Sequence, residues 1–153
     1  MNMISPNDNQ RGESNPFAAH ANSQVLSRVV KRPLVGVGKD GSELPVSGHV
    51  GTYTIHDGSP VFLGVVSDNY EVVQFKDIVQ KAEQVMTNFF TPEQLDGVKI
   101  KDVMGRQGAF VERRYTVAAF SDALEYGNTT AKTLEVGTTV AAELRIATGH
   151  DGE

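Results

Sequence analysis

Between residues 75 and 90 the apolar side chains of Phe75, Ile78, Val79, Ala82, Val85, Met86, Phe89 and Phe90 recur at i, i+3, i+4 and i+7. Lys76, Asp77, Gln80, Lys81, Glu83 and Gln84 take the opposite side. This is the 3.6-residue period of an amphipathic helix. Burying three phenylalanines and four aliphatic side chains contributes on the order of 10 kcal/mol before conformational entropy is charged. Such a helix needs an apolar surface to lie on. Thr91-Pro92-Glu93-Gln94 then reads as a second helix start, with Thr91 as N-cap, Pro92 at the first position and Gln94 closing a capping box; Gly97 ends that turn.

The surface is expected from strands. Asp40-Gly41 and Asp57-Gly58 each lie between β-branched or apolar runs and tolerate the positive φ of tight hairpins. Strands are read at 34–38, 43–47, 49–56, 61–67 and 70–74, with Asp68-Asn69 as a turn. A further hairpin joins 98–104 to 109–119 through Gly105-Arg106-Gln107-Gly108. In the last strand Val136, Thr138, Val140, Ala142, Leu144 and Ile146 alternate with Gly137, Thr139, Ala141, Glu143 and Arg145, giving one buried and one wet face. The expected fold is α+β: a mostly antiparallel sheet of about six strands with one long helix packed on one face.

Residues 1–16 are rich in Asn, Ser, Pro and Gly and read as a disordered arm. A short helix on Val25, Leu26, Val29 and Val30 is expected before Pro33, and 121–135 reads as a loop. Residues 17–153 then make one domain. Its last strand runs into Gly149-His150-Asp151-Gly152-Glu153, a turn with nothing after it, so the chain reads as cut short or as taking a partner strand from elsewhere.

With no cysteine, disulfides, thiolate nucleophiles and cysteine-based zinc sites are excluded. No apolar run approaches the roughly 20 residues that span a bilayer, and the first residues lack a signal-peptide h-region. A cytoplasmic protein with no membrane contact is expected. Gly36-Val37-Gly38 lacks the spacing of a phosphate-binding loop. His49, His56 and His150 with Asp57 and Asp151 are the one conceivable metal set, but His49 and His56 fall on opposite faces of one strand, and Asp-Gly explains two of the sites as turns. No serine elbow or carboxylate pair points to catalysis. No cofactor, metal or enzymatic activity is expected.

The net charge of −5 opposes general polyanion binding. Residues 98–120 nevertheless hold five cations, Lys99, Lys101, Arg106, Arg113 and Arg114, against Asp102 and Glu112. With Tyr115 as a stacking platform, these cations form a candidate surface for single-stranded nucleic acid. The competing expectation is an ordinary solvated face, its charges paired with Asp102 and Glu112 across the hairpin. On the binding reading, changing Lys101, Arg113 and Arg114 together to Glu abolishes affinity and leaves the fold intact.

The run Leu63-Gly64-Val65-Val66-Ser67-Asp68-Asn69-Tyr70-Glu71-Val72-Val73-Gln74, followed by the helix, resembles domain-of-unknown-function family 932, the phage- and plasmid-like proteins of bacterial mobile elements. Thr148-Gly149-His150-Asp151-Gly152 is similar to that family's second landmark, a strand ending in a Ser-His-Asp-Gly-Ser type turn, with Thr-Gly at its start and Glu153 in place of the usual small polar residue. The resemblance covers roughly 46–153, and family members continue beyond this turn. It implies a role in mobile-element biology, with DNA metabolism or recombination as the setting. The alternative role is a phage structural or interaction module, without nucleic-acid binding or catalysis, that pairs with a second copy or a phage protein through the sheet edge near 136–148.

Overall fold

The structure, a computed structural model, describes residues 15–117 and 141–152. After 3-10 turns at Ala18–His20 and Gln24–Leu26 come strands β1 (Val29–Val37), β2 (Glu43–His56) and β3 (Ser59–Ser67). Helices α1 (Phe75–Phe89) and α2 (Pro92–Asp96) follow, then β4 (Lys99–Gly105), a 3-10 turn at Arg106–Gly108, β5 (Phe110–Val117) and β6 (Ala142–Gly149). The protein is mixed α and β with antiparallel pairing throughout, but the strands form two three-stranded sheets, ordered β1-β2-β3 and β4-β5-β6, instead of one sheet of six. No helix among the described residues is long and apolar enough to cross a membrane.

The end of β6 links the two sheets. Residues 149–152 lodge between the sheets and satisfy their polar groups. Thr52 Oγ1 donates to the His150 carbonyl at 2.6 Å, the His150 amide donates to the Ala109 carbonyl at 2.6 Å, and the Tyr70 hydroxyl donates to the Gly149 carbonyl at 3.2 Å. Gly64 makes the approach feasible: a Cβ there would sit 2.6 Å from Asp151 Cβ.

Local chemistry explains most elements. Asp57 (φ 49) and Gly58 (φ 78) form the predicted tight turn between β2 and β3. The two strands expected at 43–47 and 49–56 are one, bent at Gly48, whose φ of 78 accommodates the irregularity. Residues 70–74 are not a strand. There the Gln74 side chain stands in for a ladder partner, accepting from the Val29 amide at 3.0 Å and donating to its carbonyl at 2.8 Å. The expected helix on Val25–Val30 is instead a 3-10 turn followed by β1, because the β-branched Val29-Val30 pair favours extended backbone and an edge strand tolerates Pro33.

Helix α1 packs on the inner face of β4-β5-β6. Phe75, Val79 and Met86 are buried against Val111, Tyr115 and Val117, with Phe17, Val25 and Leu95 closing the core. The stripe is narrower than its period implies: Phe89 is 76 % exposed and Val85 65 %, because the helix turns that flank past the sheet. Thr91 and Gln94 form the expected capping box at α2. The expected arm, except residues 15 and 16, the loop at 121–135 and the last strand before 141 lie outside the described residues.

Candidate functional site

Antiparallel register decides which cations share a face. Lys101, Arg114 and Arg145 are direct partners across β4, β5 and β6, and Lys99 lies in the neighbouring row opposite Thr116 and Glu143. Directly paired residues point to the same side of a sheet, so these four cations share the face turned away from α1. Adjacent strands lie about 4.8 Å apart, which sets three cations side by side. Lys99 and Lys101 are exposed and form no ion pair among the described residues. Arg114 and Arg145 both grip Glu112; the Arg145 contacts span 3.2 to 3.3 Å. The hydrogen bond from Arg114, and next that from Arg145, hold the Glu112 carboxyl below its ordinary range against the opposing effect of burial.

The remaining predicted residues do not belong to this face. Arg113 alternates inward and is 1 % exposed. Its guanidinium forks onto Asp102 (2.8 and 3.0 Å), donates to the His20 carbonyl (2.8 Å) and reaches Glu83 on α1 at 3.4 Å. Tyr115 is fully buried and donates its hydroxyl to Glu83 Oε1 at 2.7 Å. Burial and the Glu83 carboxylate push its phenol well above the ordinary range. Neither side chain can meet a phosphate or stack on a base; the aromatic that alternation places on the outer face is Phe110, half-buried at the far end of β5 from Lys99. Arg106 lies at the opposite end, in the β4–β5 turn, ion-paired to Asp151 at 2.9 Å. A triple change that includes Arg113→Glu cannot leave the fold intact, since it would set three carboxylates together in the core.

The pairing expected across the hairpin is present as Arg113 with Asp102; Glu112 pairs instead along its own strand with Arg114 and across to Arg145. Arg145 was absent from the predicted set. Its signal lay in the alternation of the last strand, where it falls on the wet face.

Between the sheets opens a cleft of about 540 Å³. Thr54 and His150 line it, are 9 % and 2 % exposed, and hold Oγ1 and Nδ1 without any hydrogen-bond partner. Of the conceivable metal residues, His150 lies in this cleft and His56 at its rim, and no three potential ligands converge among the described residues. No protein-family profile, curated protein or solved structure matches the chain.

Proposed function

We propose that this protein is a non-catalytic accessory protein of the phage or plasmid type that holds single-stranded nucleic acid by its phosphates on the outer face of β4-β5-β6. The observation that carries the reading is the row Lys101–Arg114–Arg145 with Lys99 beside it. Like charges directly opposite one another destabilise a sheet, and Glu112 with Glu143, 3.9 Å from Arg145, offsets only part of this set, so the face is completed by an anion. The resemblance of residues 63–74 and 148–152 to proteins of mobile elements supplies the setting. Contacts of Lys and Arg to phosphate carry no base information, so binding is indifferent to base identity.

Fluorescence anisotropy of a labelled oligothymidine tests this. Four phosphate contacts give a slope of about −3 in log K against log salt, and Lys99→Glu with Lys101→Glu abolishes binding without lowering the melting temperature. A wild-type chain that binds no single strand at low salt overturns it.

One observation favours a second reading, a structural or interaction module. Strand β3 pairs only with residues 49–56 of β2, so the distal β1-β2 ribbon projects with Val35, Val37, Leu44 and Val46 exposed. A discrete oligomer by light scattering, with no nucleic-acid affinity, would mark that role; a monomer at high concentration excludes it.

A further inference from the structure

The cleft between the sheets is built unlike the cationic face. Val25, Val29 and Val111 are buried in its walls, and Val61, Phe62 and Met104 continue them outward, with Phe62 and Met104 about half exposed. Its volume lies within the 300–1,000 Å³ range of small-molecule sites. Among the described residues no Asp, Glu, Lys or Arg lines it. A charged ligand would leave water for a site with no counter-charge, which is strongly unfavourable, so the occupant is uncharged.

Gln24, Ser27, His56 and Gln107 also line the cleft, but its buried polar side chains are Thr54 and His150. Buried polar atoms in folded proteins are nearly always hydrogen-bonded, and each exception calls for a partner. Here two exceptions, Thr54 Oγ1 and His150 Nδ1, fall in one cleft. The threonine hydroxyl can both donate and accept, and a neutral imidazole nitrogen does one or the other. Burial, partly opposed by the Asp151 carboxylate, lowers the affinity of His150 for a proton and keeps it in that neutral form. At the rim Gln24 Nε2 donates to His56 Nε2 at 3.0 Å, adding a second polar pair. Phe62 and the Met104 thioether suit the face of a flat π-system. An aliphatic chain would leave the two buried polar atoms unpaired.

We propose that this cleft binds an uncharged heteroaromatic molecule of nucleobase or nucleoside size, its ring against the apolar walls and its hydrogen-bonding edge on Thr54 and His150. The site is independent of the cationic face, which lies on the other side of β4-β5-β6.

The test uses the full chain with 2-aminopurine riboside and the four natural ribonucleosides as probes. The chain has no tryptophan, so the fluorescent probe's emission stands clear of the protein's. At least one probe binds saturably at one to one by calorimetry and shifts the ring-proton resonances of His150. Thr54→Val weakens that binding about tenfold, the effect of one lost hydrogen bond in a closed site. Val61→Trp fills the cleft and removes binding, whereas Lys99→Glu with Lys101→Glu leaves it unchanged. Thermal melts establish that each variant is folded; should Val61→Trp not fold, the wild-type His150 shift and Thr54→Val decide. Failure of every probe to saturate at millimolar concentration means that water alone meets the polar pair, and overturns the proposal. So does binding that leaves His150 unshifted and is indifferent to Thr54→Val.

Discussion

Replacing Arg113 by Ala removes the one cation from a buried cluster and leaves Asp102, Glu83 and the His20 carbonyl facing its empty place. Breaking a buried ion pair by deleting one partner costs about 3–5 kcal/mol, because the surviving charge is left unpaired. Both carboxylate side chains are 17 % exposed, so water reaches them in part and the lower figure, about 3 kcal/mol, applies. At about 4 °C per kcal/mol for a domain of this size, the midpoint of a circular-dichroism melt falls by about 12 °C. The pH dependence separates lost charge pairing from lost packing. Burial alone would raise the Asp102 carboxyl; hydrogen bonds from Arg113 and Ser23, with the charges of Arg113 and His20, outweigh it and hold Asp102 below its ordinary value. A depressed folded value gives stability that is full above the unfolded value, about 3.9, and is lost as pH falls through the folded one. The deficit of Arg113→Ala should therefore be largest near pH 7 and shrink below about pH 4, where the abandoned carboxylates take up protons. Restoring shape without charge, by Arg113→Met with Asp102→Leu and Glu83→Gln, should recover most of the loss. A variant melting within 3 °C of wild type at pH 7, or a deficit equally large at pH 3, would refute the reasoning.

Other perturbations follow from the same packing. Phe75→Ala, at a 1 % exposed position, should cost about 3–5 kcal/mol in urea unfolding, whereas Phe89→Ala, 76 % exposed, should stay within about 0.5 kcal/mol. Gly64→Ala drives a methyl group into Asp151 and should cost about 1–3 kcal/mol; Gly36→Ala, whose nearest neighbour would be the Leu44 carbonyl at 3.8 Å, should not. Because burial favours neutral His150, its contribution is full above the ordinary histidine value of about 6.5 and declines as pH falls below it. Melts taken from pH 7.5 to 5 should show that decline, and His150→Leu should flatten it.

Features set by neighbours in the chain were legible in the sequence. Helix α1, the Thr91–Gln94 capping box and the Asp57-Gly58 turn each depend on fewer than about five consecutive residues' worth of geometry, repeated or not. What depends on distant pairing was not. Nothing local says that residues 149–152 insert between two sheets, and so one sheet of six was the natural expectation from eight strand-like runs. Nor does a 3.6-residue period say how far the helix rolls on its sheet, so the period alone groups exposed Phe89 with buried Phe75. The strand expected at 70–74 is absent for the same reason: its one ladder-like pairing, to Val29, is made by the Gln74 side chain and not by backbone.

The Arg113-Arg114 dipeptide joins these strands of argument. In a strand, consecutive side chains point to opposite faces, so one arginine belongs to the core and the other to the cationic row. A one-residue slip of β5 would exchange them, and two arginines alone could not tell the registers apart. Their neighbours do. Tyr115 would leave its buried place against Glu83 and enter water, while Glu112 would leave the clasp of Arg114 and Arg145. The inner arginine also bonds to three elements, β4, α1 and the Ala18–His20 turn, so β5 cannot slide without breaking each of them. The buried Arg113 cluster thus fixes the register that aligns Lys101, Arg114 and Arg145 on the outside. An Arg113→Met, Asp102→Leu, Glu83→Gln variant that folds yet loses salt-dependent strand binding would show the register, and with it the row, to rest on that cluster.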